Sequence, residues 1–199
     1  RHKAEGDEIH WLIMTRITED IGFSKERIRS RQEEIERVSK AYRFSSKYQA
    51  EFAATELDVV PKKVLVGEVS AVFNKIKPDT VYLPYRNDVH SDHESVFDAV
   101  AACVKTFRYP FVRRVYAYET VSETEFDIRP ESGGFKPNMW VDITAFIDKK
   151  IEIMKIYEGE MKEHPFPRSE RNLRALATMR GARSGQEFAE AFMILEEIR

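Results

Sequence analysis

The chain lacks most of the devices that hold a protein together from outside its core. It has one cysteine, Cys103, in 199 residues, which excludes an intramolecular disulfide and any zinc site built from several thiolates. Its longest wholly apolar run, Ala99 to Val104, is far too short to span a bilayer. It also lacks an excess of charge of one sign: 32 Lys and Arg against 34 Asp and Glu leave a formal charge of -2. There is no global positive field to gather nucleic acid or an anionic membrane surface, and neither partner is expected. Glycine and proline, eight of each, are too few for collagen or a low-complexity linker. The remainder, 42% hydrophobic with 12% aromatic and 33% charged residues of mixed sign, is the composition of a chain that folds. The lone cysteine and the missing span fit a cytoplasmic protein. Assembly into a homo-oligomer is compatible with this composition.

Hydrophobic periodicity orders the chain into alternating strands and helices. Arg1 to Glu5 before Gly6 reads as the last turn of a helix closing on glycine, so a preceding segment of the protein is expected. Glu8 to Met14 is mostly apolar, as a buried strand would be. Arg27 to Tyr42 carries apolar residues at 28, 35, 38 and 42 among charges, the stripe of an exposed amphipathic helix. Tyr48 to Phe52 reads as a short strand. A helix opened by Pro61 and ended by Lys77-Pro78 follows, then a strand at Thr80 to Leu83, a helix over Glu94 to Phe107 and a strand at Arg114 to Tyr118. Beyond Thr120 come a turn-rich loop (Glu131 to Asn138), a strand (Met139 to Ile143), a helix (Phe146 to Tyr157), a proline-bearing loop (His164 to Ser169) and a helix (Ser169 to Met179). This alternation predicts an α/β fold, a Rossmann-like three-layer sandwich with a mostly parallel sheet flanked by helices. No repeat or linker interrupts it, and residues 1–199 read as a single domain.

Open parallel sheets bind ligands beyond the carboxyl ends of their strands. The loop after Thr80 to Leu83 is therefore the first place to look. It holds Asp88, His90, Asp92 and His93 directly ahead of a helix, two of the five histidines in six positions. Ser91 and Glu94 stand in the S-x-x-E relation of a capping box, which predicts Ser91 as N-cap and His93 in the first turn. There the positive end of the helix disfavours imidazolium and leaves a neutral ring able to bind a metal. A capping box alone would account for Ser91, Asp92 and Glu94, but it leaves both histidines unexplained. On the metal reading His93 is a ligand. Asp92 fixes the tautomer of a neighbouring histidine, and His90 faces a developing negative oxygen or returns a proton. A catalytic zinc takes three protein ligands, and His2, His10 and His164 make no ligand pair by spacing. His10 reads as a core histidine within its strand.

These residues resemble the LmbE-like, or PIG-L, family of zinc-dependent N-acetylglucosaminyl de-N-acetylases, and the resemblance runs along essentially the whole chain. Its strongest element is Asp88-Val89-His90-Ser91-Asp92-His93, similar to the family's D-x-H-x-D-H segment. Arg31, Glu34, Ile35, Val38 and Ala41 resemble its R-x-x-E helix, without the Leu-Gly that usually follows. Pro137 to Ile143 and Lys149 to Glu152 resemble its PN-x-x-VDI and K-K-I-E segments. Leu176-Ala177, Arg180-Gly181 and Ala189 to Phe192 resemble its LA-x-x-RG and AEAF ending. The family's A-H-P-D-D-E loop, which supplies two zinc ligands and the general base, has no counterpart in these residues and would belong to a segment ahead of Arg1.

The resemblance implies zinc-dependent removal of an N-acetyl group from an N-acetylglucosamine-type conjugate. His93 would be a metal ligand, His90 and Asp92 the catalytic pair, and Arg31, Asp88 and Arg180 contacts to substrate. A non-catalytic sugar-binding or regulatory module that has lost its metal apparatus is the alternative.

Overall fold

The computed structural model describes residues 1–199. In chain order the elements are α1 (His2–Glu5), β1 (His10–Arg16), α2 (Lys25–Tyr42), β2 (Ser46–Ala53), α3 (Lys62–Ile76), β3 (Thr80–Pro84), α4 (Ser91–Ala102), β4 (Arg114–Tyr118), β5 (Met139–Asp142), α5 (Ile147–Met154), α6 (Glu170–Ser184) and β6 (Ala189–Glu197). Short 3-10 turns lie at Leu57–Val59, Thr124–Phe126 and Pro130–Ser132. The strands form a two-stranded sheet, β1-β2, and a four-stranded sheet in the order β3-β4-β6-β5. This is the α/β class expected. No helix is long and apolar enough to cross a membrane.

The chain divides into two compact units, Arg1–Gln49 with Trp140–Glu190, and Ala50–Met139 with Ala191–Arg199. In the first, α2 starts where the Ser24 side chain accepts from Arg27 N, and ends on Arg43 in the left-handed region. Its buried face presents Ile35 and Val38. Ile143, Ile147, Ile151 and Ala177 form a hydrophobic core cluster, with Leu173, Phe146, Met161 and Phe188 packed against it. A single glycine lets the chain close on α6: a Cβ built on Gly181 would lie 2.6 Å from the carbonyl oxygens of both Gln186 and Glu187. Only a hydrogen at that position admits the backbone so near.

In the second unit, β3 and β4 pair in parallel from Thr80 opposite Arg114 to Pro84 opposite Tyr118. The connection between them contains α4, which packs on β3 and on α3. The last strand, β6, was not visible as a strand in the sequence. It runs antiparallel to β4, with a register irregularity at Val115/Tyr116. Leu65, Val69, Val72 and Phe73 are the buried residues of α3, and Ala99 and Val100 are buried in α4. Helix α4 begins three residues earlier than expected and stops at Ala102 rather than reaching Phe107. Past Cys103 the backbone leaves the helix for a turn in which Lys105 O accepts from both Arg108 N and Tyr109 N.

Candidate active site

The site is the loop leaving the carboxyl end of β3 and the first turn of α4, all within the second unit. Tyr85 N donates to Tyr118 O at 3.0 Å, which continues the parallel pairing one step past β3 and fixes where the loop departs. Helix α4 is then capped, but not by Ser91. The N-cap is His90, whose Nδ1 accepts from Asp92 N at 3.1 Å, and Ser91 is the first helical residue. An imidazole nitrogen replaces the hydroxyl because the chain turns into the helix one position earlier than an S-x-x-E box would require. That bond fixes the ring. With Nδ1 accepting, the proton of neutral His90 is on Nε2.

His93 has the opposite arrangement. Its Nδ1 lies 2.7 Å from Oδ2 of Asp88, whose side chain is 0% exposed while that of His93 is 24% exposed. A carboxylate only accepts, so the neutral His93 ring holds its proton on Nδ1 and presents a lone pair at Nε2. The two rings stack with centroids 5.2 Å apart and planes 15° from parallel. Two adjacent imidazoles therefore offer complementary chemistry, one an N–H donor and the other a lone pair.

Asp92 is buried, and both its oxygens are spent on backbone: Oδ2 accepts from Thr55 N at 2.8 Å and Oδ1 from Leu57 N at 3.0 Å. It pins the turn after β2 against the start of α4 and holds Thr55 at φ 68°, a conformation uncommon for a β-branched residue. The carboxylate bonded to a histidine is Asp88, five residues before its partner, where a tautomer-fixing role had been expected of Asp92.

Asp88 Oδ1 accepts from Thr124 Oγ1 at 2.6 Å, a contact across 36 residues that no spacing could reveal. Arg129 also belongs to this neighbourhood. Its Nη2 donates to Asn87 O at 2.6 Å, and its Nε donates to Asp127 Oδ1 at 2.8 Å. Bonds from Ser132 and Arg129 hold the Asp127 carboxyl down at about 2. Burial, followed by the negative charge of Asp88, pushes the Tyr118 phenol up to about 12.

Arg31 and Arg180, expected as substrate contacts, belong to the first unit. Arg31 lies over the Tyr157 ring at 5.1 Å, donates to Glu160 at 2.5 Å and pairs with Glu34 at 3.2 Å. Glu34, 3% exposed, also accepts from Arg27 Nη1 at 2.8 Å and from Glu158 N at 3.1 Å. Arg180 is half-buried on α6, next to Gly181. Asp88, also expected to touch sugar, has no exposed side-chain surface and bonds at both oxygens.

Among solved structures, the chain is similar to the N,N'-diacetylchitobiose deacetylase of Pyrococcus horikoshii at 21% identity and TM-score 0.76, covering 98% of this chain and 75% of that one. It is similar to the zinc-inhibited form of the teicoplanin deacetylase Orf2 at 14% identity and TM-score 0.70, covering 97% and 89%. It is also similar to GalB, the 4-carboxy-2-hydroxymuconate hydratase of Pseudomonas putida, at 17% identity and TM-score 0.70, covering 98% and 86%. At these identities the likeness is one of fold. The family model for GlcNAc-PI de-N-acetylase (PIG-L) matches residues 1–104, through β3, its loop and α4. The chain belongs to the PIG-L, or LmbE-like, de-N-acetylase family.

Proposed function

We propose that the protein is a zinc-dependent hydrolase that removes the N-acetyl group from an N-acetylglucosamine-type amino-sugar conjugate. The observation that carries this reading is the pair of hydrogen bonds that assign complementary tautomers to His90 and His93, on the segment that the family model covers.

The donors in hand fit one corner of a zinc site. His93, its Nδ1–H on a buried carboxylate and its Nε2 lone pair available, has the carboxylate–histidine arrangement of a metal ligand. A catalytic zinc needs more donors than this loop provides. The family resemblance implies a further histidine and aspartates as the remaining donors. When bound, the metal lowers the pKa of a water and polarises the amide carbonyl.

The chain's own residues do the rest. His90 donates its Nε2–H in a hydrogen bond to the oxygen that gains charge as the amide carbon becomes tetrahedral. Asp88 holds the His93 ring. Asp92 keeps the α4 terminus and the Thr55–Leu57 turn together, so that both imidazoles stay in place.

The test is acetate release from a panel of N-acetylglucosamine conjugates by the whole encoded protein loaded with zinc, with free N-acetylglucosamine as comparison. Release that is lost on chelation and restored by zinc supports the reading. A folded, zinc-loaded protein that releases none contradicts it. The hydratase likeness favours one second reading, addition of water to an unsaturated acid at the same loop. Hydration of such an acid without acetate release would identify it.

A further inference from the structure

We infer that Thr124 is a positioning residue that sets the tautomer of His93 through Asp88. Its hydroxyl has two partners: Thr120 N lies 2.8 Å from Oγ1, and Oγ1 lies 2.6 Å from Asp88 Oδ1. A backbone N–H can only donate, so the hydroxyl accepts from Thr120 and has its single proton left for Asp88. Asp88 Oδ1 is thereby occupied. The other oxygen, Oδ2, is turned to Nδ1 of His93 at 2.7 Å. The first two links have one direction: Thr120 N–H cannot accept, so Thr124 accepts from it and donates to Asp88 Oδ1. The Asp88 carboxylate, as an acceptor only, then takes the His93 Nδ1–H at Oδ2.

The Thr124 segment is held against the loop by two further bonds. Val89 N donates to Glu123 O at 3.4 Å, and Arg129 Nη2 donates to the carbonyl oxygen of Asn87. Thr124 opens the 3-10 turn Thr124–Phe126, and its hydroxyl is held by its bonds to Thr120 N and Asp88. Serine could do the same. Valine, of nearly the same shape, could not, and would leave Asp88 with a buried oxygen facing a methyl group and Thr120 N–H without its acceptor.

That the Nε2 lone pair serves a metal rests on the deacetylase proposed above, whereas its placement does not. The test is therefore made first on the metal-free 199-residue protein. Histidine is labelled with 15N, and the ring nitrogens are assigned in multiple-bond 1H–15N spectra at a pH where imidazoles are neutral. The expected wild-type spectrum has His93 in one tautomer, with Nδ1 protonated and Nε2 bare. Thr124→Ser keeps that signature. Thr124→Val loses it, and the Nε2–H form appears. In the zinc-loaded protein, Thr124→Val weakens zinc retention on the order of 10-fold, and Thr124→Ser restores it.

A wild-type His93 protonated on Nε2, or a folded Thr124→Val protein with an unchanged His93 spectrum, overturns the inference. If Thr124→Val loses its dispersed amide spectrum, Thr124→Ala against Thr124→Ser decides in the same way: both alike overturns it, Ser alone retaining the signature supports it. A tautomer that shifts in Thr124→Val, with no acetate released by the zinc-loaded wild type, sinks the proposed reaction and leaves Thr124 in its role. Acetate release with an unshifted tautomer does the reverse.

Discussion

Replacing Asp92 with alanine removes two hydrogen bonds at once, and the structure allows the cost to be built up. Each is a bond from a backbone N–H to a charged acceptor, a class that contributes about 1.5–3 kcal/mol. The partners differ in what happens afterwards. Thr55 is exposed, so its N–H returns to water, but Leu57 is 1% exposed and its N–H is left buried without an acceptor. Asp92 is also the second residue of α4, where a negative charge at the helix N-terminus contributes about 0.5 kcal/mol. Allowing one partner to be rehydrated, Asp92→Ala should destabilise the protein by about 2–4 kcal/mol, a large share of the ~5–15 kcal/mol typical of a folded protein. Asp92→Asn keeps one acceptor oxygen but turns an NH2 toward the other N–H, and should cost about half as much. The assay is denaturant unfolding followed by far-ultraviolet circular dichroism, with amide exchange read at Thr55 and Leu57. Loss of protection at those two amides should accompany the shift in midpoint. An Asp92→Ala protein within about 0.5 kcal/mol of wild type, the ordinary range of surface changes, with Leu57 still protected, would refute the part assigned to this carboxylate.

Other substitutions test the supporting structure. Gly181→Ala should destabilise by about 1–3 kcal/mol: the added methyl meets two backbone oxygens at 2.6 Å, and this outweighs the ~1 kcal/mol that alanine gains over glycine in a helix interior. An unfolding midpoint at or above wild type would contradict it. Glu34→Ala should cost about 1–3 kcal/mol, because it removes the buried acceptor shared by Arg27 and Glu158 N and leaves Arg31 with Glu160 as its carboxylate partner. Unchanged stability would show that the network contributes nothing.

The Tyr118 phenol, raised to about 12, stabilises the fold fully below the ordinary tyrosine value of about 10. That contribution is lost as pH rises from there through 12. Spectrophotometric titration should show Tyr118 ionising late and together with unfolding, along with Tyr42 and Tyr157, which burial also raises to about 12, and early ionisation of all eight tyrosines would count against it. Asp127, lowered to about 2, contributes above the ordinary aspartate value, and its contribution disappears as pH falls through 2. Amide protection around Arg129 and Gly134 should fall only in that acid range.

The layout of the fold was legible because hydrophobic period speaks for itself over long segments. The strand at Arg114 to Tyr118 has the bounds expected, and α2 and α3 differ by only a residue or two. Strand β6 was not legible, since Ala189 to Glu197 ends in charges and gains its strand character from β4 alongside it. The loop from Asp88 to His93 stood out because its residue types have few other uses at a strand-to-helix junction. How those side chains are wired did not. His90 takes the cap that Ser91 was expected to fill, and the partners of Asp88 and Asp92 include Thr124, Thr55 and Leu57, tens of residues away in sequence. A threonine hydroxyl or a backbone amide carries no signature of its own. Only the folded chain brings it into place.

The most direct test of the deacetylase reading is zinc content measured alongside acetate release, comparing wild type with His93→Ala in the whole encoded protein. The expected result is about one zinc per chain and release of acetate in the wild type, with both lost in the variant while its circular dichroism is unchanged. Retention of the ion and of acetate release by folded His93→Ala would contradict the account.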